Sequence, residues 1–197
     1  MIEKIIHNRL LLIVIFLIFG YLGTFPLFPK IFGFLSVFIP ILIFFKTKDA
    51  NQEVLICCSY ITGAEVFIRM IRGFVFYETG KYTVIFLLIL GILFGITKKN
   101  FPVQYILYIF LLLFGILFTN VPEGESIRNN IVFNLSGPIV LGIASVYFYN
   151  KNIPKEKLLS ALFFMLLPIF SIVSFLYFRT PDLEEIVFGG AANYQTS

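Results

Sequence analysis

The sequence predicts an all-α membrane protein, a polytopic bundle of about seven transmembrane helices with the N-terminus inside and the C-terminus outside. Three observations lead to this prediction. The chain of 197 residues is 59% hydrophobic and only 13% charged, about half the charged fraction of an average soluble domain. Its apolar residues lie in runs close to the roughly 20 residues that a helix needs to cross a bilayer. Its basic residues form short clusters between these runs, as in the loops of membrane proteins.

The apolar runs define the predicted spans in chain order. They cover residues 10–28, 31–45, 54–71, 81–96, 102–119, 131–149 and 158–178. The first is interpreted as a retained helix, because no small-residue cleavage site follows it, and it is expected to end at Pro26 and Pro29. Kinks are expected at Pro40 and Pro168. The runs do not alternate as barrel strands do, so residues 1–197 are expected to form one transmembrane helical domain.

Loop charge predicts the orientation of the bundle. With the N-terminus inside, nine of the 15 basic residues fall on the inner side, namely Lys4, Arg9, Lys46, Lys48, Lys98, Lys99, Lys151, Lys155 and Lys157. The acidic residues show the opposite bias, with Glu78, Glu123, Glu125, Asp182, Glu184 and Glu185 outside. This distribution satisfies the positive-inside rule. The net charge of +4 is therefore a topology signal and does not indicate a nucleic-acid partner.

The third predicted span is unusual because it contains ionisable residues. Its polar residues are spaced three and four apart, which places them on one narrow helix face: Cys58, Thr62, Glu65, Arg69 and Arg72. Glu65 precedes Arg69 by one turn, the favourable order for an i,i+4 ion pair. A charge facing acyl chains costs several kcal/mol. This face is therefore expected to point into the bundle, and Phe67 and Ile71 are expected to point elsewhere.

Two interpretations of this face stay open. It is either a structural ion pair between Glu65 and Arg69 that fixes helix packing, or a functional anion site. One carboxylate can neutralise only one of the arginines Arg69 and Arg72, and charge inside a membrane is a functional signal by default. The anion site is therefore the favoured interpretation.

The predicted topology gathers further cations at the same outer surface. The residues expected to bind an anion there are Arg69, Arg72, Arg128 and Lys81. Arginine binds phosphate oxygens with two donors and lysine adds a point charge, and the helix starts near Lys81 and Arg128 add backbone N–H donors. Such a cluster suits a lipid-linked pyrophosphate. For Lys81 taken alone, an ordinary interfacial cation is the favoured alternative.

The sequence offers no catalytic set. The one histidine, His7, lies near the start, and the adjacent Cys57 and Cys58 are interpreted as small core residues. No Ser-His-Asp set, metal cluster or nucleotide loop is visible, so no catalytic residue is assigned. The carboxylates of Asp182, Glu184 and Glu185 suit either a general base or the charged end of a tail.

Several motifs resemble the O-antigen ligase and polymerase family of bacterial membrane proteins. They are G-A-E-V-F-I-R-M in the third span, E-T-G-K-Y after it, R-N-N-I-V-F-N-L-S-G-P opening the sixth span, and F-R-T-P followed by N-Y-Q-T-S at the end. The resemblance extends over nearly the whole chain and is clearest from the third span onward.

The resemblance implies a specific chemistry. Members of this family take glycans from an undecaprenyl-pyrophosphate carrier at the periplasmic face of the bacterial inner membrane, and pass them to lipid A-core or to another carrier-linked repeat. Their arginines at the outer helix ends hold the pyrophosphate of the carrier, a role that the resemblance gives here to Arg69, Arg72 and Arg128. The expected partners are therefore an undecaprenyl-pyrophosphate-linked glycan and the lipid bilayer. The resemblance also implies that no metal, nucleotide or other cofactor is needed, since the leaving pyrophosphate is already activated.

One departure from the family pattern concerns length. Family members continue with more spans and a large outer loop bearing a catalytic histidine or arginine, whereas this chain stops at Ser197. We therefore expect it to be the N-terminal part of such an enzyme. Two alternatives stay open: a transporter or flippase for an anionic lipid or solute, and a non-catalytic membrane subunit. The position of the charges near one surface instead of the midplane argues against the transporter.

Overall fold

The structure, a computed structural model, describes residues 9–73, 78–95, 102–118, 127–149 and 151–179. Within these residues it contains seven α-helices and no strand. The helices are α1 (Arg9–Leu22), α2 (Phe28–Thr47), α3 (Glu53–Met70), α4 (Thr79–Gly95), α5 (Val103–Gly115), α6 (Ile127–Phe148) and α7 (Lys155–Phe178). A 3₁₀ turn, Ile116–Phe118, follows α5. The prediction of an all-α bundle of seven helices is confirmed for this part of the chain.

Three stretches of the described chain are long and apolar enough to cross a membrane: Phe28–Thr47, Asn130–Phe148 and Lys155–Phe178. Three more helical stretches, Arg9–Leu22, Thr79–Phe94 and Val103–Phe118, are apolar but shorter. Helix α3 has 18 residues and carries Glu53, Glu65 and Arg69. Length and composition thus indicate a membrane protein, while the number of spans and their orientation stay predictions.

Several helix ends differ from the predicted bounds. The first helix was expected to continue to Phe28, but α1 ends at Leu22. Gly23 and Thr24 close a turn there, with the Thr24 hydroxyl donating to the Tyr21 carbonyl at 2.8 Å. The helix α2 begins at Phe28, because Pro29 lies in its first turn, where a missing N–H costs nothing. Helices α2 and α7 continue through Pro40 and Pro168.

The chain runs up and down, so the loops gather at two ends of the bundle. End A is defined by residues 48–52, between α2 and α3, where the Gln52 side chain donates to the Asn152 carbonyl at 3.0 Å. End B is defined by the end of α3 and the start of α4. At end B the rings of Tyr21 and Phe178 lie 4.9 Å apart, which brings the ends of α1 and α7 to the same level.

Helix α3 lies at the centre of the described bundle. On one side it contributes to a buried cluster with α2, α4 and α6 that includes Val54, Ile61, Leu87 and Tyr147. On the other side it packs with α2 and α7 in a second cluster around Phe67. Burying a large apolar side chain contributes about 1.5–3 kcal/mol, so these two clusters fix how α3 is rotated.

The helices α3 and α7 approach each other closely at Gly63. A Cβ atom added there would lie 2.0 Å from the carbonyl oxygen of Met165, a backbone atom that cannot turn away. The absence of a side chain at Gly63 therefore sets the distance between the two helices. This contact, together with the apolar cluster around Phe67, holds the C-terminal half of α3 with its polar residues in place.

Candidate functional site

The polar face of α3 does not point into the bundle along its whole length. Cys58 is buried, but Thr62 and Arg72 are exposed, and the side chains of Glu65 and Arg69 keep 17% and 26% of their surface. The residues expected to point elsewhere, Phe67 and Ile71, are instead buried, with exposures of 0% and 5%, and the adjacent Ile68 is buried as well. The expectation of an inward polar face is therefore wrong for the C-terminal half of α3. Burial of the larger apolar side chains between α2 and α7 decides the rotation of the helix.

The ion pair expected from the sequence spacing is present in the structure. Arg69 Nη2 donates to Glu65 Oε1 along α3. The Glu65 side chain also reaches the first turn of α4, because a Cβ added to Gly80 would lie 3.1 Å from Glu65 Cγ and 3.2 Å from Glu65 Cδ. Glycine at position 80 thus leaves room for the carboxylate. The contact joins the polar face of α3 to the start of α4.

A second ion pair lies at the start of α4, between Lys81 in its first turn and Glu78 just before it. Lys81 Nζ lies 2.8 Å from Glu78 Oε2 and donates to the Ser136 hydroxyl of α6 at 3.0 Å. The Ser136 hydroxyl in turn lies 3.4 Å from Glu78 Oε2. Glu78 and Ser136 are buried, with exposures of 7% and 6%. Lys81 is therefore not an isolated interfacial cation, since a buried carboxylate and a buried hydroxyl hold its ammonium group.

Arg72 occupies a special position at the end of α3. Its φ of 55° is left-handed, and its N–H bonds the Arg69 carbonyl while the Gly73 N–H bonds the Ile68 carbonyl. These two bonds form the Schellman motif, in which glycine is the usual residue at the left-handed position. An L residue there costs about 1 kcal/mol. Arg72 is exposed, so the strained backbone presents a guanidinium at the surface of end B.

Arg128, the fourth predicted binding residue, belongs to helix α6, but its side chain lies outside the described part of the structure. The same holds for the predicted tail carboxylates of Asp182, Glu184 and Glu185. The structure therefore brings together Arg69, Arg72 and Lys81 near the ends of α3 and α4, and it does not test the role of the other predicted residues.

Two of the described cations of end B face carboxylates. Each of the cations Arg69 and Lys81 has a carboxylate partner, and the partner pairs are joined through Gly80. Arg72 is exposed at the end of α3. An anion that enters this region can replace a carboxylate as the partner of a cation. Because the cation is already oriented, the replacement needs little reorganisation of the protein. We call Glu65, Arg69, Arg72, Glu78 and Lys81 the end-B charge cluster.

A second charged network, which the sequence did not predict, lies at end A. Asp49 Oδ2 accepts hydrogen bonds from the Tyr147 hydroxyl at 2.7 Å and from Lys151 Nζ at 3.0 Å. Asp49 Oδ1 accepts the backbone N–H of Val54 at 3.0 Å, in the first turn of α3. The side chain of Asp49 is fully buried, and the ammonium of Lys151 lies 3.4 Å from the centre of the Tyr147 ring. We call these groups the Asp49 network.

The Asp49 network ties three separate elements of the chain. It joins the turn before α3, the last turn of α6 and the segment before α7. Lys151 was interpreted only as a loop charge, and Asp49 was not singled out by the sequence. One local signal was available, because an acidic residue just before an apolar run is typical of a helix start, but the sequence holds nothing that pairs Asp49 with Tyr147 or Lys151.

Comparisons with protein-family models, with curated proteins and with solved structures find no match to this chain.

Proposed function

We propose that this protein binds the pyrophosphate of a lipid-linked glycan at end B, and that it takes part in glycan transfer in the manner of O-antigen ligases and polymerases. The proposal includes the location: the bacterial inner membrane, with end A in the cytoplasm and end B in the periplasm. Undecaprenyl pyrophosphate bearing a surface glycan is the proposed ligand.

One observation carries the proposal. The two ion pairs of the end-B charge cluster meet at Gly80, where Glu65 of α3 contacts the first turn of α4. Two cations on different helices are thereby held close to one surface, with exposed Arg72 beside them at the end of α3. A pyrophosphate, with several oxygens in two linked groups, can accept hydrogen bonds from more than one of these cations at once.

The energetic balance favours an anion with more than one charge. Arg69 and Lys81 already have carboxylate partners, so a singly charged ligand would only take the place of one of these carboxylates and add no further ion pair. A pyrophosphate can accept hydrogen bonds from two of these cations at once, and each charge-assisted hydrogen bond contributes about 1.5–3 kcal/mol. The motif resemblance in α3 and α6 supports the choice of a carrier-linked pyrophosphate over other multiply charged anions.

The experiment is a binding measurement on purified protein in nanodiscs, with undecaprenyl pyrophosphate as ligand. The double variant Arg69→Gln/Lys81→Gln should bind at least tenfold more weakly than the wild type, because two charge-assisted contacts are lost. The matched control is Lys30→Gln, a change at an exposed residue of α2 near the same end. Equal binding by the wild type and a folded double variant would refute the site.

One observation favours a second candidate, a transporter or flippase for an anionic lipid. The Asp49 network closes end A with a fully buried carboxylate, while Glu65 and Arg69 at end B keep part of their surface. A transporter open toward one side has this arrangement. Translocation of a labelled anionic lipid by reconstituted protein in liposomes distinguishes the two, since a glycan-transfer protein leaves the lipid in its original leaflet.

A further inference from the structure

Helix α6 carries a regular stripe of residues on its outer side. The stripe residues recur at alternating spacings of four and three, which is the a and d spacing of a coiled-coil seam. They are Asn130, Asn134, Gly137, Leu141, Ala144 and Phe148. The three central residues, Asn134, Gly137 and Leu141, are exposed, and the other three are half-buried. We call this stripe the α6 seam.

The α6 seam lies away from the neighbours of α6, which are α4 and α5. Toward α4, the hydroxyl of Ser136 accepts a hydrogen bond from Lys81. Toward α5, a Cβ added to Gly142 would lie 2.7 Å from a side-chain atom of Ile109. In the seam, by contrast, a Cβ added to Gly137 would have no atom of the described structure within 4 Å. The contacts within the bundle therefore fill two sides of α6 and leave the seam facing outward.

Asn134 indicates what kind of surface covers the seam. It lies one turn inside Asn130–Phe148, a stretch long and apolar enough to cross a membrane. Within the part of the chain that the structure describes, its carboxamide makes no hydrogen bond. A carboxamide without a partner is unfavourable in apolar surroundings, and acyl chains offer neither donor nor acceptor. A protein partner with a polar group at this level therefore suits the seam better than lipid does.

A second copy of this chain supplies such a group by symmetry. Two copies inserted in the same orientation pack around a two-fold axis along the membrane normal, so their α6 helices run parallel. In a parallel seam each residue faces its own counterpart. A carboxamide carries both a donor and an acceptor, so Asn134 and the same residue of the second copy can bond each other reciprocally. Gly137, one turn further along, lets the two backbones approach closely.

We propose that the α6 seam is a dimerisation surface whose partner is the α6 seam of a second copy in the same membrane. Asn134 fixes the register, as a single polar residue at an a position does in coiled coils. Leu141, which is 62% exposed, supplies the apolar contact two turns further along. The seam lies away from Ser136 and its partner Lys81, so dimerisation leaves the end-B charge cluster accessible and does not depend on its ligand.

Oxidative cross-linking in the membrane tests the contact. Leu141→Cys places a thiol in the seam opposite the same thiol of the second copy, and oxidation should give a disulfide-linked dimer. Leu166→Cys is the matched control, since it makes the same change on α7 at a residue that is 49% exposed; it should give several-fold less dimer. Cys57 and Cys58 are buried, so the wild type sets the background. Equal cross-linking at the two positions, or none at either, would overturn the proposal.

A second measurement tests whether Asn134 holds the two copies together. Energy transfer between donor-labelled and acceptor-labelled copies in liposomes, at several protein-to-lipid ratios, gives the dissociation constant of the dimer. Asn134→Leu should raise this constant about fivefold or more, because two interhelical hydrogen bonds are lost. Asn134→Gln keeps a donor and an acceptor and should raise it less than about twofold. Asn152→Leu, the same change as the first at an exposed residue of end A, should have no effect.

Two results would overturn the dimer. If another protein covers the seam, the purified chain stays monomeric at every protein-to-lipid ratio. If the copies associate through another surface, Asn134→Leu dimerises as tightly as the wild type does. Neither result bears on the anion site, because binding of undecaprenyl pyrophosphate by Asn134→Leu should equal that of the wild type.

Discussion

The two ends of the bundle use similar charged groups in opposite ways. At end A, the partners of Asp49 lie 98 and 102 residues away in sequence, and its carboxylate has no exposed surface. At end B, Glu65 and Arg69 are four residues apart on one helix and keep 17% and 26% of their side-chain surface. The first arrangement fastens distant parts of the chain to each other. The Glu65–Arg69 pair lies within one helix near the surface and does not fasten distant parts of the chain.

The difference has an energetic consequence. When one partner of a buried ion pair is removed, the other is left as an uncompensated buried charge, which costs about 3–5 kcal/mol. When one partner of a partly exposed pair is removed, the other turns to water, and the loss is about 1 kcal/mol or less. Stability should therefore depend on end A, whereas end B is available for a ligand.

The largest effect is expected for Lys151→Met. The change keeps most of the side-chain volume and removes the charge, so Asp49 is left buried without its cation. We expect the free energy of unfolding in detergent to fall by about 3–5 kcal/mol. The double variant Asp49→Asn/Lys151→Met should recover most of this loss, because no uncompensated charge remains.

Lys155→Met, at an exposed residue of the same end, is the control. A loss of stability no greater than that of this control would show that the Asp49 network is not structural.

Tyr147→Phe should give a smaller loss at the same end. The ring stays in the core, but Asp49 Oδ2 loses the hydroxyl that donates to it at 2.7 Å. A buried acceptor without its donor costs about 1–3 kcal/mol. Unfolding by denaturant measures the change, with Tyr105→Phe on α5 as the control, since Tyr105 is 37% exposed. Equal stability of the two variants would contradict the hydrogen bond.

Arg72→Gly should raise the stability of the protein and weaken its binding of the ligand at end B. Glycine adopts the left-handed φ of 55° without strain, so the variant should be more stable by up to about 1 kcal/mol. It should also bind undecaprenyl pyrophosphate more weakly, because one guanidinium is lost. Unfolding and binding are measured on the same preparation. A variant that is both more stable and equally able to bind would show that Arg72 has no part in the site.

The smallest change in stability is expected for Glu65→Gln. The pair with Arg69 is partly exposed, so its loss should cost less than about 1 kcal/mol. Affinity for the pyrophosphate should rise, because Arg69 no longer has to exchange a carboxylate for the ligand. Isothermal titration in nanodiscs measures the affinity. A fall in affinity would mean that Glu65 mainly orients Arg69.

The sequence predicted what depends on local spacing and missed what depends on helix packing. The i,i+4 spacing of Glu65 and Arg69 is visible in the chain, and so are the apolar runs that became seven helices. The pairing of Asp49 with Lys151 depends on where α6 ends relative to the turn before α3, which no local pattern encodes. The rotation of α3 was predicted wrongly for a related reason. Polar spacing identified one face, but the contacts of Phe67 and Ile68 with α2 and α7 determined which face is buried.

The contrast between the two ends is tested most directly by the stabilisation that a ligand produces. A ligand present at 100 times its dissociation constant stabilises the folded protein by about 2.7 kcal/mol. We predict that undecaprenyl pyrophosphate raises the unfolding midpoint of the wild type and, by a similar amount, that of Asp49→Asn/Lys151→Met. It should raise the midpoint of Arg69→Gln/Lys81→Gln by at most about half as much, because tenfold weaker binding at the same ligand concentration leaves about 1.4 kcal/mol of stabilisation. Loss of the ligand-induced shift in the end-A variant, or a shift of full size in the end-B variant, would contradict the assignment of structure to end A and of binding to end B.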